Sequence, residues 1–271
     1  MKIAKITVQK KNKSRFNVYI DRGNGEEFGF GIDEEVYIKS GIRKGMELTD
    51  EQAEELLVQD QFSKGLNSAM HFLSFRMRSI QEVDQFLLKK EFEPSTRKAV
   101  IQRLQEMGYL NDRDFAKMFI RSKITTTKKG PKALKQELQQ KGVSEKIIEE
   151  ALTVFPQEEQ IEEATNLVQK KAKQYKKLSE NALKQKLTQI LQQKGYPWSV
   201  TEQAIEKASL EKDEDEERET LDLQAQKAHR KYAKFTGWEY KQKMKQFLYR
   251  KGFPIELIEE WLSENQDLND Q

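Results

Sequence analysis

Apolar residues stand four apart in three stretches of the chain, Leu134 and Leu138, Leu187 and Leu191, and Met244 and Leu248, with Lys and Gln filling much of the space around them. That spacing stacks the apolar side chains on one face of an α-helix and leaves the opposite face to water. Each stretch ends alike, in LQQKG at 138–142 and 191–195 and in LYRKG at 248–252. An apolar residue follows, Val143, Tyr196 or Phe253, and then Ser144, Pro197 or Pro254. A glycine just past a helix takes the left-handed conformation that satisfies the last carbonyls, and the apolar residue after it packs onto the final turn. Lysine in that turn suits the negative end of the helix dipole, and Ser or Pro opens the next helix. The pattern is a helix stop followed by a helix start, written three times.

Aligning the chain on this ending gives a repeat. Leu87 with Lys90, Leu138 with Lys141, Leu191 with Lys194 and Leu248 with Lys251 correspond, at steps of 51, 53 and 57 residues. Such a period holds three helices of ten to fifteen residues with short loops. In the second triplet Asn111 caps DRDFAKMFIRSK, TTTKKGP is a loop, Pro131 opens PKALKQELQQK and Ser144 caps EKIIEEAL. The third runs through QEEQIEEATNLVQKKAKQYKK, SENALKQKLTQILQQK and SVTEQAIEKA, and the fourth through DEDEERETLDLQAQKAHRKYAKF, WEYKQKMKQFLYRK and IELIEEWL. In the first, Ser79 opens IQEVDQFLLKK and Pro94 opens STRKAVIQRLQEM, but Glu91 stands where the others have glycine. Ahead of it, Thr49 and Gln52 can form a capping box that starts a helix. The first 48 residues differ: KIAKITVQ, RFNVYID and EFGFGI are rich in β-formers and RGNGEE supplies turn glycines, which predicts a small three-stranded meander leaning on the helices.

The expected fold class is therefore mainly α, tandem three-helix repeats in an elongated array with a small N-terminal β-rich unit. The boundaries are 1–48 for the β-rich unit and 49–109, 110–155, 156–210 and 211–271 for the four helical repeats. Composition supports the elongated form: 34% charged, 36% hydrophobic and 9% aromatic residues give much surface for the core. The net charge is only +3, but it is blocked. Residues 1–15 carry six Lys or Arg and no acid, 227–251 carry nine against Glu239 alone, and EKDEDEERE at 211–219 is mostly acidic. No cysteine is present, which fits a reducing compartment. No apolar run reaches the roughly 18–20 residues of a membrane span, and the N-terminal stretch lacks a signal peptide's apolar core. These features predict a soluble, cytoplasmic protein with no membrane partner.

Catalytic chemistry is not evident. His71 and His229 lie far apart without a sequence partner, and cysteine nucleophiles are excluded. GNGEEFGFG lacks the helix and lysine of a phosphate loop. DEDEE points its carboxylates in different directions around a helix and is better placed to start one. The chain is thus expected to be no enzyme and to need no cofactor or metal. What remains is basic tracts: Arg121, Lys123, Lys128, Lys129, Lys132 and Lys135 in the second triplet; Lys170, Lys171, Lys173, Lys176 and Lys177 in the third; Lys227, Arg230, Lys231 and Lys234 in the fourth. Tracts of this kind commonly serve as solvated faces. Their recurrence in successive repeats suits a stripe for a polyanion or an acidic protein surface, and the scarcity of interleaved aromatics favours backbone contact over base reading.

The run LQEMGYLNDRDFAKMFIRSK followed by GPKALKQELQQKGVSEKIIEEAL resembles the RecX family of bacterial RecA regulators. The positions that carry the resemblance are Gly108, Tyr109, Leu110, Asn111, Asp112, Phe115 and Ala116, then Leu138, Lys141 and Gly142. FLSFRMRSIQEVDQFLLKKEF resembles the region just upstream, and the β-rich start and the last two triplets resemble longer members. The chain is expected to act as a monomer, and the resemblance implies a curved, elongated body of three-helix repeats. It lodges in the groove of the RecA nucleoprotein filament and suppresses ATP hydrolysis, strand exchange and co-protease action in recombination and DNA repair. Direct contact with single- or double-stranded DNA is a weaker implication. A stand-alone DNA binder and a scaffold for another acidic protein are the rival readings of the same helices.

Overall fold

The computed structural model describes residues 1–265, so the last six residues assigned to the fourth repeat lie outside the described residues. Strands β1 (Lys2–Val8), β2 (Arg15–Asp21) and β3 (Glu26–Asp33) form an antiparallel sheet in the order β1-β2-β3. Gly23 and Gly25, both at positive φ, make the β2–β3 turn. One element was not expected from the pattern. Asp33 caps a seven-residue helix, α1 (Glu34–Ser40), which ends on Gly41 and buries Val36 against the sheet.

Helix α2 (Asp50–Ser74) begins at the predicted Thr49–Gln52 capping box. Its first turns contribute Ala53 and Leu56 to the core formed by Ile3, Val18, Ile20, Phe30 and Ile32 of the sheet. Asp60, which is 1% exposed, fixes this attachment. It takes Arg15 at 3.0 Å and Lys64 at 2.7 Å and accepts the Asp33 N–H at 2.8 Å. The later turns of α2 pack with α3 (Ile80–Lys89) and α4 (Pro94–Glu106) over Ala69, Val83, Leu87, Val100 and Leu104. The sheet and the first triplet therefore share one helix.

The second triplet comprises α5 (Asp112–Thr127), α6 (Pro131–Gln140) and α7 (Glu145–Leu152). Threonines 125–127, expected in a loop, extend α5 instead, because their hydroxyls bond carbonyls of the preceding turn, as Thr126 does with Ser122 at 2.7 Å. The third triplet is α8 (Gln157–Ala172), α9 (Glu180–Gln193) and α10 (Trp198–Lys207); the fourth is α11 (Glu214–Tyr232), α12 (Gly237–Arg250) and α13 (Ile255–Glu264). The apolar stripes are core as predicted: Leu134, Leu138, Leu187, Leu191, Met244 and Leu248 are all at most 1% exposed. Burial of each stabilises by about 1.5–3 kcal/mol. The chain resolves into two compact units, one of Met1–Ala116 with Leu138–Ile148, the other of Lys117–Glu137 with the chain from Glu149 onward.

The repeated ending closes as a Schellman turn in every triplet. The N–H groups of Val143, Tyr196 and Phe253 bond the carbonyls of Leu138, Leu191 and Leu248 at 3.1–3.3 Å. Glu91 takes the same left-handed conformation, φ 62°, and Phe92 bonds Leu87 at 3.2 Å, so the first triplet also ends this way without glycine.

Why three glycines and one glutamate becomes clear from what sits on them. Within the first unit, Ser79, the N-cap of α3, donates its hydroxyl to the Lys141 carbonyl at 2.7 Å, and the Ile80 N–H donates to Asp112 at 2.9 Å. Within the second, Ser179, the N-cap of α9, does the same to Lys251 at 2.7 Å, and the Glu180 N–H donates to Glu217 at 3.0 Å. The middle pairing uses backbone bonds where the other two use a serine hydroxyl. The Gly130 N–H bonds the Lys194 carbonyl at 2.8 Å, and Pro131, which opens α6, has no N–H to satisfy. The middle helices α3, α6 and α9 thus rest their N-termini on the glycine turn of the next triplet. A Cβ at Gly142, Gly195 or Gly252 would come within 2.5–2.7 Å of Gln81, Ala133 or Ser179. Glu91 has no earlier triplet to receive, and its side chain is exposed.

At the first of these joints Glu82 caps Ser79 and takes Arg76 at 2.8 Å and Lys141 at 2.9 Å. Burial alone would raise its pKa, but these bonds outweigh burial and hold the carboxyl at about 2. Asp112 moves the other way, pushed up by burial and by the Glu82 charge, with the Ile80 N–H offsetting part of the rise.

Candidate functional site

The basic tracts divide sharply once their partners are visible. In the second triplet the cations are largely neutralised within the chain. Arg121 forks onto Glu159 at 2.8 and 3.0 Å, Lys128 reaches Glu163 at 2.6 Å, and Lys135 lies 3.9 Å from Glu149. Lys123 and Lys129 share Glu137, Lys123 at 3.8 Å. Lys132 is exposed and belongs to none of these pairs.

The third and fourth triplets are different. Lys170, Lys173, Lys176, Lys177, Lys227, Arg230, Lys231 and Lys234 are exposed, and no carboxylate lies within 4.0 Å of any of them among the described residues. Lys171 bonds the neutral Gln174 at 3.0 Å. Not all of these stand on helices as the pattern suggests. The N–H groups of Gln174 and Tyr175 turn back to Lys171 and Ala172, three residues earlier, and tighten the end of α8. Lys173, Lys176 and Lys177 therefore lie in the α8–α9 connection, and Lys234 follows α11 in the same manner.

That connection is fastened to the fourth triplet. The Lys212 ammonium donates to the carbonyls of Lys176 at 3.0 Å and Leu178 at 2.8 Å, and the Gln224 amide of α11 donates to the Lys177 carbonyl at 3.1 Å. Lys227 and Lys231 stand three and seven positions beyond Gln224, on the same helix face. They lie about 5 and 10 Å further along the helix axis. The two tracts are thus brought into one neighbourhood, with the Lys176 and Lys177 carbonyls bonded to the fourth triplet and most of the cationic head groups exposed.

Two features escaped the sequence reading. Lys241 and Arg250 of α12 are exposed and also carry no carboxylate within 4.0 Å among the described residues; the run of nine cations against one acid was their signal. Aromatics also interleave with the fourth-triplet cations. Tyr232, Phe235 and Phe247 form a half-buried cluster with centroids 6.1–6.4 Å apart. Lys231, Lys234, Lys243 and Lys251 stand 4.3–5.4 Å from its rings. Trp238, 76% exposed, lies in the first turn of α12. The histidines have ordinary roles: His71 meets the Phe75 ring edge-on, and His229 Nδ1 lies 2.9 Å from the Tyr240 hydroxyl. DEDEE forms the cap and first turn of α11. Among the described residues no cluster of His, Asp and Glu could hold a metal ion, and no helix is long and apolar enough to cross a membrane.

Family models match along the chain in order. Residues 1–49 match the regulatory protein RecX N-terminal domain, 66–104 the first RecX three-helix domain, and 111–152 the second. The third three-helix domain matches twice, at 157–205 and 214–262. The chain is 46% identical to regulatory protein RecX of Halalkalibacterium halodurans over 97% of its length and 99% of that protein's. It is 41% identical to regulatory protein RecX of Bacillus cereus over 96% of both chains. A crystal structure of regulatory protein RecX superposes with a TM-score of 0.62 at 32% identity, covering 74% of this chain and 97% of that one. RecX from Lactobacillus salivarius superposes at 0.54 and 29%, covering 56% and 99%.

Proposed function

Because the chain belongs to the RecX family of regulatory proteins, we propose that it is a non-enzymatic regulator that binds the RecA filament on DNA and lowers its ATPase, strand-exchange and co-protease activities. The supporting observation is the cluster of unneutralised cations at 170–177 and 227–234, which the Lys177–Gln224 bond draws together. Such a surface suits a polyanion, because each ammonium can meet a phosphate or carboxylate without first leaving an acid of its own chain. The second-triplet cations, held by Glu137, Glu149, Glu159 and Glu163, contribute less.

A titration of RecA's DNA-dependent ATPase tests the role. Inhibition should track the ratio of this protein to RecA, and nucleotide turnover or DNA cutting by the purified protein alone would sink the non-enzyme reading. Replacing Lys170, Lys171, Lys173 and Lys177 with Gln separates the partners. If they meet phosphates, the variant's salt slope for bare DNA falls by roughly 0.7–0.9 per lost contact. If they meet acidic side chains of RecA, filament binding weakens and DNA binding hardly changes. A variant equal to wild type in both assays returns these lysines to a solvated face.

Stand-alone DNA binding is favoured by one feature, the exposed Trp238, three residues before Lys241 on α12. Stacking of a base on such a ring contributes about 1–3 kcal/mol. Trp238→Ala should then weaken single-strand binding more than duplex binding.

A further inference from the structure

Comparing the same groove across the four triplets isolates one that is built differently. The groove lies between the middle and third helices. Three residues before the terminal leucine of the middle helix stand Asp84, Lys135, Thr188 and Lys245. Seven residues after the left-handed turn residue stand Lys98, Glu149, Glu202 and Glu259. In three triplets an ion pair spans the groove from the middle-helix position: Asp84 takes Arg97 at 2.9 Å, Lys135 lies 3.9 Å from Glu149, and Lys245 reaches Glu259 at 2.6 Å. In the second and fourth, a lysine ammonium thus covers the glutamate of the third helix.

The third triplet keeps the glutamate and lacks the lysine. Thr188 is too short and uncharged, and no cation lies within 4.0 Å of Glu202, Glu206 or Glu211 among the described residues. The only lysine lining the groove, Lys184, is committed to Glu180 at 2.5 Å. What remains is an open groove of about 440 Å³ between α9 and α10, with Ile205 and Leu210 on its apolar lining and the three carboxylates around it. At the opening stands Trp198, 61% exposed, where the other triplets have Pro94, Glu145 and Ile255. An exposed tryptophan beside apolar side chains and uncompensated carboxylates is the composition of a binding hot spot for a cation on an aliphatic stem.

We propose that the α9–α10 groove is a docking site for a lysine- or arginine-bearing segment of a protein partner. A partner side chain supplies in trans the ammonium or guanidinium that Lys135 and Lys245 supply in cis. Its aliphatic stem lies along Ile205 and Leu210, and its charge sits between Glu202 and the Trp198 ring. This surface is opposite in sign to the basic tracts, so it takes a different partner element from the polyanion they suit, and it does not depend on the function proposed above.

The test uses the full chain and a defined probe: an N-acetylated, C-amidated sixteen-residue amphipathic peptide of Leu and Lys, with a twin in which Glu replaces Lys. Binding is read from the ¹⁵N-indole resonance of Trp198, assigned by its loss in Trp198→Phe. The lysine peptide should shift this resonance saturably while the twin leaves it in place. Thr188→Lys should weaken binding at least tenfold, because the introduced ammonium pairs with Glu202 within the chain; Thr188→Met, similar in length but uncharged, should stay within about threefold of wild type. Glu202→Gln provides an independent arm, with an expected loss of about tenfold. The proposal is overturned if Thr188→Lys binds like wild type while folded, or if the two Thr188 variants weaken equally. It is also overturned if the Glu twin binds as well, or if spermidine alone saturates the same shift at the same concentration, which would mark a small-cation site.

Discussion

The glycine turns separate two costs that a helix-ending motif alone would merge. Gly108 and Gly195 both lie at positive φ, 75° and 86°. A Cβ on Gly108 would meet nothing within 4 Å, whereas on Gly195 it would stand 2.5 Å from the backbone nitrogen of Ala133. Gly108→Ala therefore carries only left-handed strain, about 1–2 kcal/mol, reduced by roughly 0.4–1 kcal/mol because alanine restricts the unfolded chain. Gly195→Ala carries the same strain and must also push α6 away. Overpacking adds about 1–3 kcal/mol. The displaced backbone bonds, Gly130 to Lys194 at 2.8 Å and Lys132 to Gly195 at 3.0 Å, contribute roughly 0.5–1.5 kcal/mol each. The expected losses are about 1 kcal/mol for Gly108→Ala and about 3–7 kcal/mol for Gly195→Ala. Urea unfolding followed by circular dichroism measures the totals. Hydrogen exchange across 130–134 and 194–196 asks where the loss falls, which matters because repeat arrays can open joint by joint. Equal losses for the two variants, or unchanged protection at 130–134, would refute the joint as the reason for glycine.

Three further outcomes follow from the same contacts. Glu91→Gly should stabilise slightly, by about 0.5–1 kcal/mol, since relief of left-handed strain exceeds the added chain entropy; a loss in chemical denaturation would mean the Glu91 side chain does more than end a helix. Glu82, ordinarily near 4.5 and held at about 2, should contribute stability in full above pH 4.5 and lose it progressively as pH falls towards 2. Glu82→Gln should flatten that part of the pH–stability curve, and an unchanged slope would contradict the assignment. Asp60→Asn should cost about 3 kcal/mol by leaving Arg15 and Lys64 without their buried counter-charge. Because α2 is shared, this loss should appear in both the sheet and the first half of α2 by hydrogen exchange, and a loss confined to the sheet would argue against a shared core.

Much of the architecture is legible in the sequence because its determinants are local. The capping boxes at Thr49 and Ser79, the apolar stripes and the Schellman turns all act within about a turn of the chain, so their residue types announce them. What was not legible depends on distant partners. Nothing in LQQKG at 138–142 or LYRKG at 248–252 reveals that Ser79 and Ser179 will lie on the carbonyl before the glycine, 62 and 72 residues away. Helix α1 was hidden because a short run after a strand carries little periodicity, and Thr125–Thr127 because hydroxyls can cap or extend a helix with equal ease. The candidate site was half legible. The tracts are visible as composition, but Arg121 and Lys170 look alike until Glu159 is found beside only one of them.

That difference bears on how such a chain can carry both a structure and a charged surface. Lysine in the last turn of a helix is first a helix-ending device, and at the joints Lys141 and Lys194 fill a second structural role, meeting Glu82 at 2.9 Å and the Thr127 carbonyl at 2.8 Å. Cations used this way are held in place by folding and offer little to a partner, because recruiting them means breaking a bond already made. The cations at 170–177 and 227–234 are positioned by other means. The backbone at 176–178 is fixed through Lys212 and Gln224 and that of 227–232 by α11, while most of their charges stay exposed. Positioning by neutral backbone bonds leaves the full charge for association, where several weak contacts on one body add through effective concentration instead of through any strong single pair. By the same reasoning the acidic groove of the third triplet stands apart, since there the fold retains a glutamate and omits the lysine that elsewhere covers it. Surplus charge of either sign, left unpaired in a repeat whose sister repeats pair it, marks a structural contact the sequence has given up, and both proposed binding surfaces rest on such charge.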